Sequence, residues 1–140
     1  MAAAAVITDL VGVIIWTEDV ARLAAFYRDT LGLPVHSERA DFVAFDLPHG
    51  RRLSIGRHSR VRGRARDPYR IMLNLGVRDI QDAHRVLTGR GVTFVREPER
   101  ELWGGWIATL ADPDGNMLQL FQLPPEQTQM RARPSHASRK

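Results

Sequence analysis

Few residues of this 140-residue chain could do chemistry. The chain has no cysteine, which removes disulfides, thiolate metal ligands and a cysteine nucleophile, and no Ser-His-Asp arrangement is evident. Of its five histidines, only His36 and His58 fall near predicted strand ends from which they could reach a shared site. The aspartates that stand out are better explained as helix caps and turn residues: Asp19, Asp79, Asp112 and Asp114. A metal site rebuilt on the two histidines is the enzymatic alternative that these residues leave open.

The positive charge of the chain comes almost entirely from arginine. The net charge is +4, and Lys140 is the only lysine. Arginines cluster in residues 57–66 and 131–140, but no aromatic side chain interleaves them to stack on bases, so we expect no nucleic-acid partner. The longest apolar run, around residues 11–16, is too short to span a membrane, and the N-terminus does not resemble a signal peptide. We therefore predict a cytoplasmic protein with no membrane partner.

The chain repeats one pattern after about sixty residues. Residues 13–32 and 73–91 each read as an aliphatic strand, an aspartate at the strand-to-helix turn, an amphipathic helix and a glycine stop. Such a repeat indicates two copies of one supersecondary unit, with any site built where the units meet. Each copy predicts the order βαβββ. The predicted helices run from 20 to 31 and from 79 to about 88, and the predicted strands cover residues 10–16, 35–38, 42–47, 52–57, 71–77, 92–95, 106–110 and 117–122.

Two motifs carry a resemblance to a known family. Residues 26–33, FYRDTLGL, and residues 111–120, ADPDGNMLQL, resemble the two signatures of the vicinal oxygen chelate superfamily. That group includes glyoxalase I, extradiol dioxygenases, fosfomycin-resistance enzymes and bleomycin-resistance proteins. The resemblance implies an α+β fold in which two tandem βαβββ modules form a cup-shaped, partly open mixed β-sheet with flanking helices. It also implies a homodimer. We expect one domain over residues 6–124, with module one at about 8–58, module two at about 69–123, and a disordered basic tail at 125–140.

The same resemblance implies a metal site that this chain has lost. Metal enzymes of the family use His, Glu, His and Glu, and motif spacing puts those positions at Gly12, Ser54, Met72 and Gln119. Glycine offers no donor, methionine is a soft ligand, and serine and glutamine are weak neutral ligands for first-row divalent metals. We therefore expect no metal and no cofactor.

Strand alternation predicts what faces a ligand instead. Side chains two residues apart share a face, so aromatic walls, an arginine and a few neutral hydrogen-bonding groups surround the former ligand positions. Such a lining is typical of a small-molecule pocket. The predicted ligand-binding residues are Trp16, Arg52, Ser54, Met72, Asn74, Trp103, Trp106 and Gln119.

These features predict a metal-independent protein that sequesters a planar or aromatic, neutral-to-anionic organic molecule such as an antibiotic. A cationic drug would prefer an acidic groove, whereas this site has Arg52 nearby. The alternatives are a lyase, isomerase or dioxygenase-like enzyme with rebuilt metal ligands, or with Arg52 and His58 as electrophile and acid, and a ligand-free dimeric interaction module.

Overall fold

The computed structural model describes residues 5–125. The chain divides into two compact units between Arg64 and Ala65, and each unit holds one four-stranded sheet and one main helix in the order βαβββ. The tandem βαβββ prediction is therefore confirmed. All but the first residue of the predicted tail lies outside the described residues. No helix within residues 5–125 is both long and apolar enough to cross a bilayer.

The first unit is a mixed sheet with strand order β1-β4-β3-β2. Strand β1 runs parallel to β4, and the other neighbours are antiparallel. Its elements are β1 Gly12–Thr17, α1 Val20–Ala25, β2 Val35–Arg39, β3 Phe42–Asp46 and β4 Arg52–Arg57. The turn between β3 and β4 is a short 3₁₀ segment, Pro48–Gly50.

Helix α1 begins where the sequence predicts and changes geometry before it ends. The Asp19 side chain accepts a hydrogen bond from the backbone N–H of Arg22, which caps the first turn. The last turn, Phe26–Thr30, is π-helical, with the Leu31 N–H bonded to the Phe26 carbonyl. Gly32 then adopts a φ of 78°, which ends the helix.

The second unit repeats the plan with strand order β5-β8-β7-β6, and β5 runs parallel to β8. The Asp79 side chain accepts hydrogen bonds from the backbone N–H groups of Gln81 and Asp82 at the start of α2. Its elements are β5 Leu73–Gly76, α2 Ile80–Gly89, β6 Phe94–Arg100, β7 Trp106–Ala111 and β8 Met117–Gln122.

Strand β6 differs from its prediction. The sequence predicts a strand over 92–95, whereas β6 runs from Phe94 to Arg100 and shifts register on both sides of Arg96. Its charged residues and Pro98 conceal a strand, but β6 lies at the sheet edge, where proline costs no ladder hydrogen bond on the solvent side. The difference matters because it brings Arg96 into the sheet.

In each unit one face of the sheet packs on the helix, and the other face does not. In the first unit the helix-packed face carries Phe45, Leu53 and Ile55, which are fully buried with Leu23 and Tyr27 of the helical segment. In the second unit the buried residues of this face, with two from α2, are Ile80, Leu87, Ala108, Leu110, Leu118 and Leu120. The helix of each unit does not cover the opposite face of its sheet, and we call that face the open face.

Candidate functional site

The positions that the family resemblance assigns to metal ligands are equivalent in the two units. Ile14, two residues after Gly12, pairs with Ser54, and Asn74, two residues after Met72, pairs with Gln119. The two registers therefore match, and alternation puts Gly12 and Ser54 on the open face of the first sheet. Whether a metal could bind at these positions depends on their donor atoms and on the space around each residue.

Those donors do not fit a divalent metal. A Cβ added at Gly12 would lie 2.6 Å from the backbone oxygen of Arg52, so the backbone itself excludes an imidazole there. Within residues 5–125, no three His, Asp or Glu side chains converge into a possible metal site. Of the two histidines considered from the sequence, His58 uses Nδ1 to accept the backbone N–H of Arg60, and His36 is exposed beside Ser37. Ser54 and Gln119 therefore supply neutral hydrogen-bonding groups at positions where the metal enzymes have glutamates.

The open face of the first unit carries an aromatic strip over Gly56. A Cβ added at Gly56 would lie 2.6 Å from Cζ3 of Trp16 and 2.9 Å from Cδ1 of Phe42, so the glycine makes room for both rings. The His58 ring contacts Trp16 edge-on, with centroids 5.3 Å apart. Trp16 remains 39% exposed. This strip offers a flat apolar surface with one indole accessible for stacking.

Ser54 precedes Gly56 by two residues on β4 and lies on the same face. Its residue is only 6% exposed, and its hydroxyl makes no side-chain hydrogen bond among the described residues. Since no fully buried polar atom in that part of the chain lacks a partner, the hydroxyl must remain accessible. Ser54 can therefore hydrogen-bond a ligand that lies beside Trp16.

Arg52 forms a salt bridge with Asp46. Its Nε donates to Asp46 Oδ1 at 2.8 Å, and the two residues are directly paired between β3 and β4. Arg52 and Gly56 are four residues apart, so about 13 Å of strand separates Arg52 from the aromatic strip. A ligand stacked on Trp16 would have to span that distance to reach a guanidinium that is already neutralised.

The open face of the second unit carries a polar row. Asn74, Gln119, Thr109 and Arg96 are direct partners across β5, β8, β7 and β6. Thr109 is 5% exposed, and the side chains of Asn74, Thr109 and Gln119 make no hydrogen bond within residues 5–125. By the same reasoning as for Ser54, the Thr109 hydroxyl stays accessible. The row offers amide and hydroxyl groups that can both donate and accept.

Arg96 lies at the end of this row and forms ion pairs with two carboxylates. The Arg96 guanidinium donates hydrogen bonds to Glu99 and Glu101, and these bonds raise its pKa above the usual value. With both acids ionised, the three side chains together carry one negative charge. This end of the second sheet therefore disfavours an anion.

Trp103 reaches the polar row through Phe121, which alternation along β8 places on the face of Gln119. Its ring stacks on Phe121 with centroids 5.3 Å apart and an interplanar angle of 22°. A Cβ added at Gly105 would lie 1.9 Å from Trp103 Cζ3, so that glycine lets the indole fold back. Phe121 shares a face with Gln119, two residues away, and Trp103 is 45% exposed. The second open face thus also has an accessible indole beside polar groups.

Trp106 and Met72 stand apart from these clusters. Trp106 pairs with Gln122, whose side-chain Oε1 accepts the N–H of Ile80 at the start of α2. Trp106 therefore lies on the helix-packed side of its sheet, opposite Gln119. Met72 is half-buried and immediately precedes β5.

In both units an aromatic residue pairs with a glycine across the two parallel strands, but the strand that carries the aromatic residue differs. In the first, Trp16 on the first strand pairs with Gly56 on the last; in the second, Gly76 on the first strand pairs with Phe121 on the last. The parallel strand pair of each unit thus places one aromatic residue on its open face.

The elements of the two units define a protein of two tandem βαβββ modules. A family model described as the Glyoxalase/Bleomycin resistance protein/Dioxygenase superfamily matches residues 9–120. The chain belongs to this superfamily. No curated protein matches.

Solved structures agree with that assignment. A superfamily member from Sphaerobacter thermophilus DSM 20745 is 27% identical, with 84% of this chain and 98% of that chain covered and a TM-score of 0.66. A glyoxalase/bleomycin resistance protein/dioxygenase from Alicyclobacillus acidocaldarius is 20% identical over 85% and 94%, with a TM-score of 0.68. A lactoylglutathione lyase from Agrobacterium tumefaciens is 16% identical over 84% and 96%, with a TM-score of 0.67. The last two likenesses concern the fold alone.

Proposed function

We propose that this protein is a metal-independent binding protein that sequesters a planar or aromatic, neutral-to-anionic organic ligand such as an antibiotic. One observation carries the proposal: each open face presents an accessible indole beside hydroxyl or amide groups that have no protein partner within residues 5–125. An indole stacks on a flat conjugated ring, and the polar groups orient the ring substituents. Neither role needs a nucleophile or a Lewis acid.

The charges of the first open face support a neutral or anionic ligand. Asp46 is the only carboxylate among the strand residues of this face, and Arg52 neutralises it. A cationic ligand would therefore find no bare acid there, whereas a neutral ring meets no charge penalty.

We also propose that the protein is a cytoplasmic homodimer. Support for association comes from apolar side chains next to the edge strand β1, which are 71–91% exposed: Val6, Ile7, Leu10 and Val11. Size-exclusion chromatography with light scattering tests the dimer, and a monomer at all concentrations would contradict it.

Calorimetric titration of metal-stripped protein with Zn²⁺, Ni²⁺, Mn²⁺ and Fe²⁺ tests metal independence. We expect no stoichiometric binding, because Gly12, Ser54, Met72 and Gln119 supply no adequate donor set. Stoichiometric binding at about micromolar affinity or tighter would contradict the proposal and favour a lyase, isomerase or dioxygenase-like enzyme with His36 and His58 as ligands.

Tryptophan-fluorescence screening of aromatic compounds then tests ligand binding. We expect binding compounds to quench Trp16 or Trp103, with Trp16→Phe and Trp103→Phe assigning the signal to one unit. Trp106→Phe is the matched control, since Trp106 lies on the helix-packed side. Quenching that depends on Trp106 alone would contradict the proposed faces. No quenching by any aromatic compound would favour a ligand-free interaction module.

A further inference from the structure

The aromatic strip of the first unit ends at an arginine that the sequence did not single out. Trp16 pairs with Gly56, Gly56 with Phe42, and Phe42 with Arg39, so these residues form one row across all four strands. Arg39 and Phe42 flank the two-residue turn at Ala40 and Asp41, and directly opposed side chains in such a pair lie on the same face. The row spans three strand spacings, about 14 Å.

Arg39 is the uncommitted cation of this face. It is exposed and forms no ion pair with an acid among residues 5–125, whereas Arg52 is bound to Asp46. Two acids are close in sequence: Glu38 pairs with Val43 of the helix-packed face and lies 3.8 Å from Arg28, and Asp41 of the turn forms no ion pair with Arg39. The guanidinium of Arg39 therefore keeps its donors for a ligand.

We infer that Arg39 is an anion-binding residue of the first open face and that the ligand is an aromatic carboxylate. The ring would lie on Phe42 and Trp16, and the carboxylate would reach the Arg39 guanidinium at the edge of the sheet. A carboxylate matches the planar fork of arginine, so the pair can form two parallel hydrogen bonds. The opposite end of the strip has His58, whose ring contacts Trp16 and whose Nδ1 accepts the Arg60 N–H.

This inference rests on the proposed function and narrows it. The proposed function requires only that a flat ring stacks beside polar groups. The inference adds that the ligand carries a negative charge and that Arg39 binds it. A pair of probes with the same ring and different charge separates the two: 2-naphthoate and its neutral amide, 2-naphthamide.

The test measures both probes by fluorescence quenching and calorimetry with the full-length protein and three variants. In wild-type protein we expect 2-naphthoate to bind about threefold to tenfold more tightly than 2-naphthamide, the range for a partly exposed charge-assisted pair. Arg39→Gln should abolish this preference without changing 2-naphthamide affinity, and Arg39→Lys should retain part of it. Arg57→Gln is the matched control and should keep the preference, because Arg57 is exposed, forms no ion pair among residues 5–125 and lies on the helix-packed side of β4.

The outcomes separate the two claims. Equal affinities in wild-type protein, an unchanged preference in Arg39→Gln, or a preference lost in Arg57→Gln as well would overturn the role of Arg39 while leaving ring binding intact. Failure of both probes to bind any variant at about millimolar concentration would count against the proposed function as well. Binding of 2-naphthamide to Arg39→Gln shows that the variant is folded. Raising NaCl from about 20 mM to about 300 mM should weaken the binding of 2-naphthoate and leave the binding of 2-naphthamide unchanged.

Discussion

The most informative perturbation is a single methyl group at Gly12. Position 12 is where the family resemblance puts the first metal ligand, and a Cβ there would lie 2.6 Å from the backbone oxygen of Arg52. Ordinary contact begins at 3.4 Å, so the overlap is 0.8 Å. The obstacle is backbone rather than a movable side chain, and β1 must therefore shift away from β4.

That shift has a calculable cost. The hydrogen bond from the Arg52 N–H to the Val11 carbonyl is 3.1 Å long, and a displacement of this size would break it. Loss of the bond costs about 0.5–1.5 kcal/mol, and overpacking costs about 1–3 kcal/mol. Alanine returns about 0.4–1 kcal/mol by restricting the unfolded chain. We therefore expect Gly12→Ala to lower the unfolding free energy by about 1–3 kcal/mol.

Urea unfolding followed by far-ultraviolet circular dichroism measures this change, with Gly76→Ala as the matched control. Gly76 is also a strand glycine, but nothing lies within 4 Å of its added Cβ, so its variant should be unchanged or slightly more stable. If Gly12→Ala were as stable as wild-type protein while Gly76→Ala behaved as expected, the steric argument would be refuted.

The same geometry predicts that the chelate cannot be restored by substitution. A variant with Gly12→His, Ser54→Glu, Met72→His and Gln119→Glu carries the ligand types of the metal enzymes, yet Gly12→His meets the same backbone oxygen. We expect no zinc-dependent rise in its unfolding midpoint. A rise with Zn²⁺ would show that β1 accommodates a side chain at position 12 and that loss of the metal is a matter of residue types alone.

Three further predictions concern the supports of the two faces. Asp112→Ala should lower the unfolding free energy by about 2–4 kcal/mol, because the buried Asp112 carboxylate accepts the N–H groups of Asp114 and Asn116 and the Asn116 amide; an unchanged urea midpoint would contradict this. The hydrogen bond from Arg28 lowers the pKa of Asp29. The Asp29 carboxylate therefore contributes stability above the unfolded pKa of about 3.9, and this contribution is lost as pH falls through the lower folded pKa. Asp29→Asn should remove this part of the acid dependence of the unfolding free energy, and an unchanged pH profile would refute the argument. Trp103→Ala should leave Phe121 without its stacked partner and weaken 2-naphthamide binding in the second unit, whereas Trp106→Ala should alter stability more than binding; the reverse pattern would refute the assignment of faces.

The parts of the fold that sequence could predict are those set by local chemistry. Asp19 and Asp79 cap helices because their carboxylates reach backbone N–H groups within the next three residues, and the glycine stops need only the conformation of one residue. Strand β4 was predicted to the residue because its alternation reads directly onto a two-sided sheet. Family membership followed from two motifs of this local kind.

The parts of the site that sequence missed depend on which strands become neighbours. Arg52 was expected to meet a ligand, but its partner Asp46 is set by the hairpin register between β3 and β4. Trp106 was expected near Gln119, and only the pairing of Trp106 with Gln122 shows that it faces α2. Arg96 was hidden because the predicted strand stopped one residue before it.

The two open faces differ in the groups that they present. The first has an aromatic strip, one accessible hydroxyl at Ser54 and the uncommitted cation of Arg39. The second has a row of amides and a hydroxyl that ends near the net negative charge around Arg96. A molecule with an acidic end suits the first face, and a neutral group rich in donors and acceptors suits the second. The two repeats have thus diverged in charge while keeping the same strand register.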